Sequence, residues 1–187
     1  MPHLNTTSET APTMPRRPLP TPQDEGDRQL LFNVQTHGWH VVMVPADEET
    51  PGWCFTVGLQ HNFQHPEIVV FGLPLDTAHV LLNTAGAAIQ AGREFAADVR
   101  YDDFHDGYEC AFQPVRSKWH EPFLGYACWF YGEQGFRALQ LSWPDRDGAL
   151  PWDTPADSQL RASQPLLFES EEGAAGVLEL LASMEET

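Results

Sequence analysis

The segment Gln60-His61-Asn62-Phe63-Gln64-His65-Pro66-Glu67 places two imidazoles and a carboxylate in one short stretch. Two histidines four residues apart can share a metal ion when they lie on one helical face. Pro66 disfavours helix at His65, and position 62 is Asn rather than the Glu of an HExxH pattern, so no metal site is expected here. Two readings stay open. In one, His65 caps a turn and Glu67 accepts backbone donors. In the other, His65 and Glu67 stand at the mouth of a pocket, on a loop held by rigid strands.

A second candidate is Trp143-Pro144-Asp145-Arg146-Asp147-Gly148 with Pro151-Trp152. Asp145 or Asp147 can close an Asx-turn, and Gly148 can supply positive φ. Alternatively, Trp143 and Trp152 wall a groove in which Asp145 orients a ligand. Asp102, Asp103 and Asp106 form a third group. Their spacing lacks the alternating oxygen ligands of a calcium loop, leaving a solvated hairpin tip or an acidic contact surface for a basic partner.

Other chemistries are missing. There is no GxSxG or Ser-x-x-Lys pattern and no glycine-rich phosphate loop. Cys54, Cys110 and Cys128 form no CxxC pair and sit among apolar or aromatic neighbours, as buried thiols in a reducing cytoplasm do. Arg93, Arg100, Arg116 and Arg137 are the cations available to an anionic ligand.

These groups need a scaffold. Residues 1–20 are rich in proline and read as a disordered arm. A helix is expected to start at Thr21, with Pro22 in its first turn, and to stop at Gly38. Strands follow at Trp39–Pro45, Trp53–Leu59 and Glu67–Gly72, with a polar loop over Gln60–Pro66. The unbroken Ile68-Val69-Val70-Phe71 run predicts a strand covered on both faces. Helical spacing of Ala78, Leu81, Leu82, Ala85, Ala88 and Ile89 predicts a helix from Asp76 or Thr77 to Gly92. Two more strands are expected at Arg93–Tyr101 and Tyr108–Val115, around an acidic turn at Asp102–Gly107. A short aromatic helix at Gly125–Gly132 and a strand at Phe136–Trp143 complete the body. The domain spans residues 21–168. Residues 169–187 form an acidic tail that could carry a short helix around Val177–Met184. This order predicts a single α+β domain with a curved, mostly antiparallel sheet or split-barrel-like core and flanking helices. The His65–Glu67 loop and the Asp145 turn are expected to meet at one rim of that sheet.

The 187 residues carry 27 acidic and 10 basic side chains, a formal charge of −17. Such a field repels nucleic acid and anionic membrane and favours cationic partners. No stretch has the run of apolar residues that a membrane span needs. The chain therefore reads as soluble and cytoplasmic.

Several phrases together resemble an uncharacterised, mainly bacterial family, domain-of-unknown-function family 4262. They are Phe55-Thr56-Val57-Gly58-Leu59, His65-Pro66-Glu67-Ile68-Val69-Val70-Phe71-Gly72-Leu73, Leu139-Gln140-Leu141-Ser142-Trp143-Pro144-Asp145 with Gly148 and Pro151-Trp152, and Gln164-Pro165-Leu166-Leu167. The resemblance covers roughly residues 35–168. It implies a fold shared by soluble bacterial proteins and supplies no catalytic residues.

Two functions are therefore expected. One is a non-catalytic acidic binding protein, of inhibitor or immunity type, for a basic protein, with Asp102, Asp103 and Asp106 as contacts. The other is a small-molecule or flavin-binding protein, with or without enzymatic activity, using His65, Glu67, Gln140, Asp145 and Trp152. The first needs no cofactor.

Overall fold

Asp24, not Thr21, starts the first helix. The computed structural model describes residues 18–48, 50–105, 108–154, 158–169 and 182. In it, α1 (Glu25–His37) is capped by the Asp24 carboxylate, which accepts from the amide of Asp27. Asp27 in turn accepts from the amide of Gln23 at 2.8 Å, so two carboxylates hold the first turn reciprocally. Thr21 lies outside the helix. Gly38 ends it with φ of 101°, where a Cβ would fall 2.6 Å from the Phe63 ring.

Two strands follow, β1 (His40–Val44) and β2 (Trp53–Val57). The stretch expected to be loop forms a single turn of helix, α2 (Leu59–Phe63). Gln64 then takes a left-handed conformation, φ 60°, and stops it before His65. β3 (Glu67–Phe71) leads to α3 (Leu75–Gln90). The hairpin β4 (Val99–His105) and β5 (Tyr108–Pro114) comes next. A 3₁₀ turn at Ser117–Trp119 runs into α4 (His120–Phe123), then α5 (Gly125–Tyr131), β6 (Ala138–Ser142) and α6 (Ser158–Ser163).

The strands form one open sheet in the order β1-β2-β3-β6-β5-β4. Only β3 and β6 run parallel, with Glu67 beside Ala138 and Val70 beside Leu141. The architecture is a single-domain α+β fold, with an open mixed sheet rather than a barrel.

Alternation along each strand divides the core in two. Phe55, Val57, Val69, Phe71 and Ala138 face α1, α4 and α5. Cys54, Ile68, Val70, Leu139 and Leu141 face α3. Every residue of β3 is buried, as its apolar run predicts. Burying a Phe such as Phe71 stabilises the fold by about 1.5–3 kcal/mol. On α3, Ala78, Leu81, Leu82, Ala85 and Ile89 form the buried stripe. Gly86 lets Trp39 pack directly on this helix, since a Cβ there would lie 2.3 Å from the indole.

Two further expectations change. The strand expected from Arg93 begins only at Val99, and β4 continues through His105 rather than turning at Asp102. Residues 1–17, the helix expected around Val177–Met184 (apart from residue 182) and Asp106 lie outside the described residues. Of the expected arm, Leu19 packs against the α1-side cluster.

Candidate functional site

Because β3 and β6 are parallel, their starts lie at one end of the sheet and their ends at the other. His65 and Glu67 belong to the first end, and the Asp145 turn follows β6 at the second. Five residues of strand separate them, roughly 15 Å. The expected common rim does not form, and the cleft that His65 lines contains neither Asp145 nor Trp152.

At the far end the Asp145 group is held by its own turn. The Asp145 carboxylate accepts from the amides of Asp147 and Ala149, both at 2.9 Å. Trp143 donates from its indole to the Phe71 carbonyl, and Trp152 packs edge-on against Phe168. Gln140 is wholly buried in mid-strand. Its amide donates to the Pro165 carbonyl at 2.7 Å, and its oxygen accepts from the Leu167 amide at 2.9 Å. Gln140 thus pins the segment after α6 onto the sheet.

Glu67 is sealed as well. The Thr56 hydroxyl donates to one carboxylate oxygen at 2.7 Å. The amides of Gly58 and Gln60 donate to the other at 3.1 and 3.0 Å, joined by the Tyr131 hydroxyl. Each hydroxyl accepts an amide hydrogen, Thr56 from Ile68 and Tyr131 from His61, so its own proton is turned toward Glu67. Burial pushes the Glu67 carboxyl above the usual range, against the pull of these four donors. Its role is to tie β2, α2, β3 and α5 together.

His65 is the site residue that does reach a cleft. About 840 Å³ of space opens at the start of β3 and β6. Its walls come from residues 63–66, 92–97, 136–139 and from Pro114, Val115, Ser117 and His120, the connections at this end of the sheet. Phe63, Ile89, Phe95 and Phe136 supply apolar surface, while Ser117, Arg93, Glu94 and Arg137 supply polar groups. Both nitrogens of His65 are used. Nδ1 contacts the Pro66 carbonyl at 2.7 Å, and Nε2 accepts from the Phe95 amide at 3.1 Å. Burial holds the ring below the ordinary histidine range.

His120 lines the same cleft and stacks on Phe136 at 4.4 Å. Its ring bonds to the Val115 backbone, and its Nε2 is shielded from solvent with no hydrogen-bond partner among the described residues. Burial lowers its pKa too.

The cations separate clearly. Arg93 pairs with Asp103 at 2.6 Å, and Arg100 pairs with Glu109 and Asp153. Arg116 donates to the Phe168 carbonyl. Arg137 likewise donates to a carbonyl, that of Gln64 at 2.8 Å, and among the described residues no carboxylate pairs with either; of the two, only Arg137 lines the cleft. Its backbone is fixed, with its amide donating to Gln60 and its carbonyl accepting from Glu67. Arg137 also lines a smaller, more open recess with Gln60, Gln64 and Gln134.

Sequence reasoning named Arg137 only as one cation among four. Its position immediately before a buried strand was the available signal. His120 and Ser117 carried none, because the fold alone brings the stretch after β5 to this end. Asp102 is exposed, while Asp103 is committed to Arg93. The thiols are poor nucleophiles: burial pushes Cys54 and Cys110 up to about 11 and raises Cys128. Among the described residues no helix is long and apolar enough to cross a membrane.

A family model described as Domain of unknown function (DUF4262) matches residues 33–157. No curated protein and no solved structure matches the chain.

Proposed function

Since the chain belongs to the DUF4262 family, a domain of unknown function, we infer its role from its own residues: it binds a small amphipathic organic anion in the cleft at the start of β3 and β6. One observation carries this reading. Arg137 stands in an apolar-walled cleft without a carboxylate partner among the described residues, on a chain of net charge −17. A guanidinium fork suits a carboxylate, which it can bind through two parallel hydrogen bonds. Phe63, Phe95 and Phe136 suit the apolar body of such a ligand. The volume lies within the range of drug-sized ligand sites.

The role is binding rather than catalysis. His65 has both nitrogens occupied, Glu67 is sealed, and the thiols are held protonated. Free buried cysteines suit a reducing cytoplasm.

The test is titration of isotope-labelled protein with phenylpropionate and, separately, with its primary amide. Saturable shifts at residues 63–66, 117–120 and 136–138, seen with the acid and much weaker with the amide, are expected. Equal response to both, or shifts confined to other surfaces, removes the anion site.

A second reading is favoured by the charge itself. An acidic protein of inhibitor or immunity type would capture a basic protein, with Asp102 and neighbouring acids in contact. Binding to a defined basic protein that weakens steeply with salt supports it. Salt-independent or absent binding counts against it.

A further inference from the structure

The connection between α3 and β4 forms one wall of the cleft. Two left-handed residues bend the chain at its ends, Gly92 with φ of 93° and Asp98 with φ of 63°. Between them Phe95 is buried, its ring stacked on Phe112 at 4.6 Å and edge-on to His65 at 6.0 Å. Backbone bonds from Gly92 and Arg93 to Ile89 and Ala88 tie its first end to α3, and further polar contacts hold the rest. The Ala96 amide donates to the Tyr101 hydroxyl at 2.8 Å, Arg93 pairs with Asp103, and the Phe95 amide donates to Nε2 of His65.

The last contact depends on a protonation state. The Phe95 amide can only donate, so Nε2 must offer a lone pair. Nδ1 then carries the ring hydrogen and donates it to the Pro66 carbonyl. A proton on Nε2 would set two N–H groups face to face, 3.1 Å apart. The Tyr101 and Asp103 contacts involve no histidine.

We propose that residues 92–97 are a pH-sensitive strap on the cleft, latched at neutral pH by the Phe95 amide on unprotonated His65 and released there by acid. The proposal gives the regulation of the site described above, and its importance for ligand binding rests on that reading. The latch itself does not. Charges on the surrounding elements act in both directions. Arg137, at the start of β6, disfavours an imidazolium, and Glu94 on the strap favours it. Arg93 on the strap is neutralised by Asp103, and His120 of α4 lines the same cleft. Glu67, two residues on, is enclosed by its four donors. Burial is the largest influence and favours the neutral ring.

The experiment follows amide exchange and the His65 ring nitrogens by NMR in the full chain without ligand. Protection of Phe95, corrected for intrinsic exchange, should fall by about tenfold per pH unit while His65 takes up its proton. Val69, in the core of β3, should stay protected. His65→Gln, whose side-chain oxygen accepts but does not titrate, should make Phe95 protection independent of pH. Joint loss at Phe95 and Val69, or constant Phe95 protection while His65 protonates, overturns the proposal. If the variant does not fold, the comparison within the native protein decides alone. Because no ligand is present, failure here leaves the Arg137 reading intact. Failure of phenylpropionate to bind leaves the latch intact.

Discussion

The hydroxyl of Tyr131, on α5, donates to the carboxylate of Glu67, at the first position of β3, inside a region closed to solvent. The two lie 64 residues apart, and their contact fixes the helix layer to the centre of the sheet. Tyr131→Phe keeps the ring, which stacks on Phe136, and removes only the hydroxyl. The His61 amide then loses its acceptor and Glu67 loses one donor. A loss of about 1–3 kcal/mol is expected, read as a lower urea midpoint at unchanged slope.

Stability should respond to pH in two opposed ways. The Glu67 carboxyl lies above its ordinary 4.5, chiefly through burial, so the folded state holds its proton more tightly than the unfolded chain. Its contribution is present at low pH and is lost as pH rises from 4.5 through the folded value. His40, His65 and His120 lie below 6.5, again chiefly through burial. There the unfolded chain binds protons more tightly, so stability falls as pH drops below 6.5 toward the folded values. Glu67→Gln should remove the first dependence and leave the second, measured by urea unfolding at a series of pH values.

Arg137→Ala should abolish the response to phenylpropionate with little change in stability, since the side chain is exposed and makes one bond to a carbonyl. Arg137→Lys keeps the charge but loses the planar fork, so most of the binding should go as well. Calorimetric titration with parallel urea curves checks both. Full binding by either variant would place the anion elsewhere.

Gly86→Ala tests the packing of α3. Helix propensity alone would favour alanine by up to about 1 kcal/mol. The indole of Trp39 occupies the space a Cβ needs, and the Trp39 ring is further fixed by its bond to Asn83. A net loss of about 1–3 kcal/mol is expected in thermal or urea unfolding.

Much of the scaffold could be read from residue patterns. The apolar run in β3, the stripe on α3 and the stop at Gly38 are local signals, and each appears where its physics puts it. The direction in which β3 and β6 pair is not local. It depends on a connection of 66 residues, and no single stretch of the chain encodes it. That one unknown placed Asp145 and His65 at the same rim, when they belong to opposite ends. Glu67 is different, because its burial was legible. It shares parity with Val69 and Phe71, so its side chain points into the α1-facing core. A carboxylate in that row needs donors, and Thr56 and Tyr131 supply them. The cleft was hardest to foresee, since four separate connections contribute to it.

The parallel seam between β3 and β6 has a kinetic meaning. On one side of it stand β1, β2 and β3, and on the other β6, β5 and β4, each trio antiparallel and assembled from one continuous stretch of chain. Each trio can nucleate from nearby neighbours, whereas the seam must wait for both halves and close the longest loop in the sheet. The rate of folding is then governed by the docking of two half-sheets, and substitutions at Val69 or Leu139 should slow it more than substitutions within either hairpin.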